Sequence, residues 1–252
     1  MRKSNVERGC FIEELVKDRA FSSGRTLQCQ RINTDPKYGD RNFVLKSGAR
    51  DPLLLTAHYD SFVIDKATGA TAPGANDNGS GVGAVLQAAQ YLKELPVDIA
   101  LFGAEEAGCL GALQYIAEMT DKPRAVVNLD TCGSGGTLGI LIPNAVYVER
   151  EDLRATDKEL NSYYLASANE LGFKVCEEDP LATGDHCDFI KAGIPATTLQ
   201  GEDHSFYGLV DGKYVSEKMI MHTAKDDIGT VDKLFLEQIV QVLIAGSKKL
   251  LV

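Results

Sequence analysis

The sequence predicts an α/β fold, a three-layer, doubly wound mixed sheet with helices on both faces. Short, near-continuous apolar runs recur along the chain and read as strands covered on both faces. Segments with apolar residues at helical spacing lie between them. No linker, internal repeat or low-complexity segment interrupts this alternation. The 252 residues therefore read as a single domain, 1–252, long enough to bury a sizeable core.

The opening "MRKSNVERGCFIEELVKDRA" reads as a helix with Cys10, Phe11, Leu15 and Val16 on one face. Its basic start lacks an apolar core, so it is not expected to be a signal peptide, and the chain as given reads as cytoplasmic. "RNFVLKSG" and "DPLLLTAHYD", separated by a few turn residues, read as a hairpin. Residues 61–78, "SFVIDKATGATAPGANDN", read as a long irregular loop, a feature more often functional than idle. Val82, Val85, Leu86, Ala89 and Leu92 then follow helical spacing. "VDIALFGAEE", "RAVVNLD", "LGILIP", "GFKVCEE" and "GIPATTLQ" are further strands. Phe235, Ile239, Val242 and Leu243 mark a last helix.

Composition limits the partners. Asp and Glu exceed Lys and Arg by 36 to 26, and the net charge of -10 disfavours nucleic acid and anionic membranes. No apolar run approaches the length of a membrane span. The six cysteines form no CxxC pair and read as reduced, mostly buried thiols.

In open α/β sheets, ligands bind beyond the carboxyl ends of the strands. His58 and Asp60 end "LLLTAHYD", Glu105 and Glu106 follow "IALFGA", and Asp130 ends "VVNLD". Asp77 precedes the first regular helix after the long loop, and His222 sits in "MIMHTAKDD". Each alone has a plain structural explanation, such as a helix cap or a solvated first turn. Gathered at one sheet edge, they would bury uncompensated charge that a dication relieves. Mixed histidine and carboxylate donors suit zinc, with cobalt or manganese as substitutes. Five candidate ligands exceed one catalytic zinc site, and one bridging carboxylate would complete two three-ligand sets.

Other chemistries fit less well. "GSGVGA" matches a dinucleotide fingerprint but does not directly follow a strand. Ser80 and Ser134 lack the glycine spacing of a nucleophile elbow. Cys187 and His186 are sequence neighbours, which usually point apart.

The motifs "HYDS", "GANDNGSGVGAVL", "GAEEAGCLGA", "NLD", "DHCDFIKAGIPA" and "HTAKDD" occur in the order seen in the co-catalytic zinc aminopeptidase family. The chain resembles that family, which includes bacterial leucyl aminopeptidases and aminopeptidase Y, over roughly residues 40–250. The resemblance implies two Zn2+ ions, one held by His58, Asp77 and Asp130, the other by Asp77, Glu106 and His222. It makes Glu105 the general base and Asp60 the residue that orients His58. Asp185 and His186 take a supporting role near the site. The implied substrate is a peptide with a free N-terminus. Two alternatives stay open: a single-zinc glutaminyl cyclase of the same fold, and a non-catalytic binding module. The complete five-ligand set favours the two-metal hydrolase. Cys109, Cys132 and Cys187 near these motifs read as packing residues. The sequence assigns no side-chain preference and no oligomeric state.

Overall fold

The computed structural model describes residues 4–140, 157–176, 184–203, 205–210 and 213–252. The chain opens with α1 (Asn5–Ser23). Its buried stripe is Asn5, Gly9, Ile12, Val16 and Ala20, at helical spacing. Cys10 and Phe11, expected on that face, are exposed, and Leu15 is half-buried. Ile12 and Val16 take the contact with the sheet, which turns Phe11 outward.

β1 (Thr26–Arg31) and β2 (Arg41–Lys46) form an antiparallel hairpin. β1 is a largely exposed edge strand, so it carries no apolar run for the sequence to announce. β3 (Leu53–His58) is buried at every position. A two-strand β-ribbon follows, β4 (Val63–Asp65) with β5 (Ala70–Thr71), so the segment 61–78 is not irregular throughout. The chain then enters α2 (Gly81–Tyr91) and β6 (Val97–Phe102).

β6 lies between β2 and β3, which corrects the expected hairpin of those two strands. Both β3 and β6 are apolar on both faces and need central positions. The crossover through α2 sets them side by side and parallel. α3 (Leu110–Glu118), β7 (Ala125–Leu129), β8 (Leu138–Ile140), α4 (Lys158–Glu170) and β9 (Val175–Cys176) continue the chain. α5 (Asp185–Lys191), β10 (Ala196–Gly201) and α6 (Lys233–Leu251) complete it. Parts of "LGILIP" and "GFKVCEE", residues 141–143 and 177–178, lie outside the described residues.

Among the described residues the sheet has eight strands, in the order β1-β2-β6-β3-β7-β10-β8-β9. The central four, β6, β3, β7 and β10, are parallel, and antiparallel pairs flank them. Side chains alternate across it. Leu53, Leu55, Ala57, Ile99, Leu101, Val127 and Leu129 face a core shared with α1, α2, α4 and α6. Leu54, Ala100, Phe102 and Val126 face a smaller core with Ala112 and Tyr115 of α3 and Phe189 of α5. Helices on both faces give the three-layer α/β architecture that the sequence predicts.

Among the described residues, no helix is long and apolar enough to cross a membrane. Among the described residues, Cys10, Cys29, Cys109, Cys132 and Cys187 form no disulfide. Only Cys132 of these is buried, so the expectation of mostly buried thiols does not hold. Cys10 sits beyond the stripe of α1 and Cys29 on the edge strand, where nothing covers them.

Candidate metal centre

Three parallel strands deliver their carboxyl ends to one edge of the sheet. β3 ends in His58, β6 leads through a short turn to Glu105 and Glu106, and β7 leads to Asp130. The turn before α2 carries Asp77 over this edge, and the loop after residue 218 brings His222. Gly81 opens α2 where a Cβ would lie 2.6 Å from the Leu129 carbonyl oxygen, so the absent side chain lets the helix start approach β7.

Asp77 stands between the two histidines. Its Oδ1 is 3.2 Å from His58 Nε2 and its Oδ2 is 3.2 Å from His222 Nε2. Asp130 Oδ1 is 3.5 Å from His58 Nε2, and Glu106 Oε2 is 3.0 Å from His222 Nε2. His58, Asp77 and Asp130 thus form one group able to hold a metal ion, and Asp77, Glu106 and His222 form a second. Glu105 Oε2 stays 3.9 Å from His58 Nε2 and joins neither group.

The donor set fits a divalent cation. Among the described residues, Glu106 Oε1 is buried without a hydrogen-bond partner, and Asp130 Oδ1 has only its 3.5 Å contact with His58. Buried anionic oxygens left unpaired are costly, and a cation beside them removes that cost. Burial pushes the Glu106 carboxyl up to about 7, with the Asp77 charge adding to the rise. Burial also drives Glu105 well above the usual carboxylate range, opposed by His58 and reinforced by Asp185 and Asp130. It raises Asp130 likewise, against the pull of His58. Burial alone would lower His58, but Asp130 and Glu105 outweigh it and hold the ring well above its ordinary value. His222 rises to about 10: hydrogen bonds to Asp77 and Glu106 overcome its desolvation. Asp77 is burdened by burial too, yet the two imidazoles hold it below the usual range.

Asp60, expected to orient His58, does more. Its Oδ1 lies 3.5 Å from His58 Nδ1 and accepts the Glu105 N–H at 3.1 Å, while Oδ2 accepts the Glu106 N–H at 3.2 Å. One carboxylate therefore fixes a histidine and the turn that carries both glutamates. That turn passes through Ala104 in the left-handed region (φ 57°), and Thr131 (φ 48°) and His222 (φ 61°) share that conformation. Such residues cost of order 1–3 kcal/mol each and persist where the surroundings over-determine them, often at functional sites.

Asp185 and His186 lie buried in the first turn of α5. Among the described residues neither oxygen of Asp185 has a hydrogen-bond partner, and burial pushes its carboxyl up to about 8. His186 is lowered to about 4 by desolvation. Cys109 is not a pure packing residue, since its thiol donates to Glu105 Oε1 at 3.5 Å. Cys132 packs against the ends of β7 and β10 with its Sγ near the Leu199 carbonyl.

Three further residues hold the site and were not assigned from the sequence. Asp226 accepts the N–H groups of Asn76 and Asp77. Asn5 of α1 donates to the Ser61 carbonyl and accepts the Ser61 N–H, and Arg8 donates to the carbonyls of Ala72 and Pro73. The signal for Asn5 was its place on the buried stripe of an amphipathic helix, and Asp226 sits in "HTAKDD" itself.

A mixed α/β sheet thus carries, at one edge, two histidine–carboxylate groups that share one aspartate and could each hold a metal ion. The sequence profile of Peptidase family M28 matches residues 43–246, and the chain belongs to that family. Aminopeptidase YwaD of Bacillus subtilis is 30% identical over 187 residues, covering 70% of this chain and 38% of that protein. Leupeptin-inactivating enzyme 1 of Streptomyces exfoliatus is 29% identical over 208 residues, covering 76% and 43%. The chain thus spans less than half the length of these two relatives. Among solved structures, the Legionella pneumophila LapA aminopeptidase aligns with a TM-score of 0.75 at 18% identity, over 98% of this chain and 65% of that one. Porphyromonas gingivalis glutaminyl cyclase aligns with a TM-score of 0.71 at 21% identity, over 94% and 88%. At these identities the two alignments establish the shared fold.

Proposed function

We propose that the chain is a zinc-dependent metallopeptidase of one domain, acting as an aminopeptidase through a two-metal centre. The observation that carries this reading is Asp77, whose two oxygens each lie 3.2 Å from a different histidine. His58, Asp77 and Asp130 would hold one ion, and Asp77, Glu106 and His222 the other. When bound, such ions lower the pKa of a water and polarise the scissile carbonyl.

The chain's own residues do the rest. Glu105, held away from both groups, accepts the proton of the attacking water and returns it to the leaving amine. Burial raises its carboxyl above the usual range, which favours its holding the proton between the two transfers. Asp60 holds the Glu105 backbone and the His58 ring in register, so the base keeps its distance from the ligands. A substrate's free amino group would sit against Glu105 and Asp130, giving cleavage at the amino end. The match to Peptidase family M28 and the aminopeptidase-named relative of Bacillus subtilis support this reading.

The test is metal content by mass spectrometry combined with hydrolysis of peptides whose N-termini are free or acetylated. Two zinc ions per chain and cleavage of the free peptides alone are expected. One zinc per chain, with pyroglutamate formed from an N-terminal glutaminyl peptide, would instead make the protein a glutaminyl cyclase. Zinc-loaded protein inactive on all these peptides would leave the binding-module reading.

A further inference from the structure

The two histidines of the centre are oriented by different means. His58 Nδ1 faces the Asp60 carboxylate and carbonyl, the usual way a ligating imidazole is fixed through its other nitrogen. Among the described residues, no hydrogen bond reaches His222 Nδ1; its Nε2 takes the contacts to Asp77 and Glu106. The His222 ring instead lies flat on Phe62, with centroids 4.5 Å apart and planes 8° from parallel.

Phe62 is anchored through its own backbone and that of Ser61. The Phe62 carbonyl accepts the Ala72 N–H, and the preceding Ser61 is tied to Asn5 through its N–H and carbonyl and to Ala72 through its hydroxyl. Phe62 therefore stands at the base of the β4–β5 ribbon, anchored to α1. His222 sits in a loop, in a left-handed conformation, with its side chain 28% exposed. The Phe62 side chain is itself part-exposed, so burial of a core residue does not explain its place. An aromatic ring laid parallel over an imidazole restricts the rotation that would swing Nε2 away from its acceptors.

We propose that Phe62 is a positioning residue for His222. It fixes the imidazole plane so that Nε2 points at Asp77 and Glu106, in place of the hydrogen bond that Asp60 supplies to His58. The inference rests on the two-metal reading for its effect on zinc. Its geometry is independent of any ion.

The experiment compares the full-length protein with Phe62→Leu and Phe62→Tyr by two readouts. Histidine-labelled protein, freed of metal, gives the ring-proton shifts of His222, identified from the spectrum of His222→Gln. Zinc-loaded protein mixed with excess chromogenic chelator gives the release rate of each ion. Upfield ring-current shifts are expected in the wild type and in Phe62→Tyr and should vanish in Phe62→Leu. Phe62→Leu should also release one ion roughly 10–100-fold faster, the usual range for losing an outer partner of a ligand. The second ion should leave at the wild-type rate, and Phe62→Tyr should restore the first. Unshifted His222 protons in the wild type overturn the proposal. So does unchanged release from Phe62→Leu, or equal acceleration of both ions, which indicates a general loosening of the fold. A wild type that binds fewer than two ions sinks the two-metal reading alone, and the ring-current comparison then decides whether Phe62 positions His222.

Discussion

The carboxylate of Asp226 accepts the backbone N–H of Asp77 at 3.0 Å and that of Asn76 at 2.8 Å, across some 149 residues of chain. The same loop carries His222, which meets the Asp77 side chain at 3.2 Å. One loop therefore holds Asp77 by its backbone and by its carboxylate at once. Asp226→Ala would leave two buried N–H groups without acceptors, each costing about 1–3 kcal/mol. The expected outcome is a less stable protein with weakened zinc affinity, and Asp226→Asn, which keeps one acceptor oxygen, should fall between. Urea unfolding and zinc titration check this; wild-type zinc affinity in Asp226→Ala would contradict it.

The adjacent acids Glu105 and Glu106 share one anchor, Asp60, but not one environment. Glu106 is within 3.0 Å of His222 Nε2, and Glu105 belongs to neither ligand group. Glu105→Gln should keep two zinc ions and lose about 10²–10⁴-fold in turnover, the range for removing a general acid–base. Glu106→Gln should lose zinc. Metal analysis beside steady-state kinetics separates the two, and an active Glu105→Gln protein would remove Glu105 from its role.

Part of this site was legible because His58, Glu105, Glu106 and Asp130 stand at or just beyond the ends of apolar runs. Near-continuous apolar runs located β3, β6 and β7, and the carboxyl-end rule then gathered His58, Glu105, Glu106 and Asp130. Strand pairing was not legible, because β2 and β3 are adjacent in sequence while the α2 crossover inserts β6 between them. β1 escaped notice because an edge strand has little apolar surface to declare. Arg8 gave no signal, and the places of Asn5 on the stripe of α1 and of Asp226 in "HTAKDD" did not announce the backbone hydrogen bonds they make, since such bonds depend on loops meeting in space.

Metal removal should expose the charge crowding at the centre as a pH effect. Without a cation, Glu106 is raised to about 7 and Asp185 to about 8 by burial, above their unfolded values near 4.3 and 3.9. His222 is raised to about 10 by Asp77 and Glu106 against its desolvation. In each case the folded chain binds the proton more tightly than the unfolded chain. For the two acids this stability is full below about pH 4 and is lost as pH rises through 7 and 8. For His222 it is full below the unfolded value near 6.5 and is lost as pH rises through 10. The metal-free protein should therefore unfold more readily at pH 9 than at pH 6, and saturating zinc should lessen the slope by holding the carboxylates ionised. Thermal unfolding with and without chelator across pH 5–9 measures it. Stability of the metal-free protein that rises over this range would contradict the crowding.

His186 should contribute a pH dependence of opposite sign. It is buried in the first turn of α5, its Nδ1 has no hydrogen-bond partner among the described residues, and desolvation lowers its pKa to about 4. The folded chain thus keeps the ring neutral, while the unfolded chain protonates it below about 6.5. As pH falls from 6.5 toward 4 the unfolded state gains a proton that the native state refuses, so stability drops by up to about 1.4 kcal/mol per pH unit. Below 4 both states carry the proton and the loss stops growing. His186→Gln has no titratable ring, so its stability should fall less steeply than the wild type's between pH 6.5 and 4.5. Parallel urea titrations of the two metal-free proteins isolate this term, because the other acids and histidines are common to both. Identical slopes would mean that the His186 ring takes up its proton in the folded state as readily as in the unfolded one.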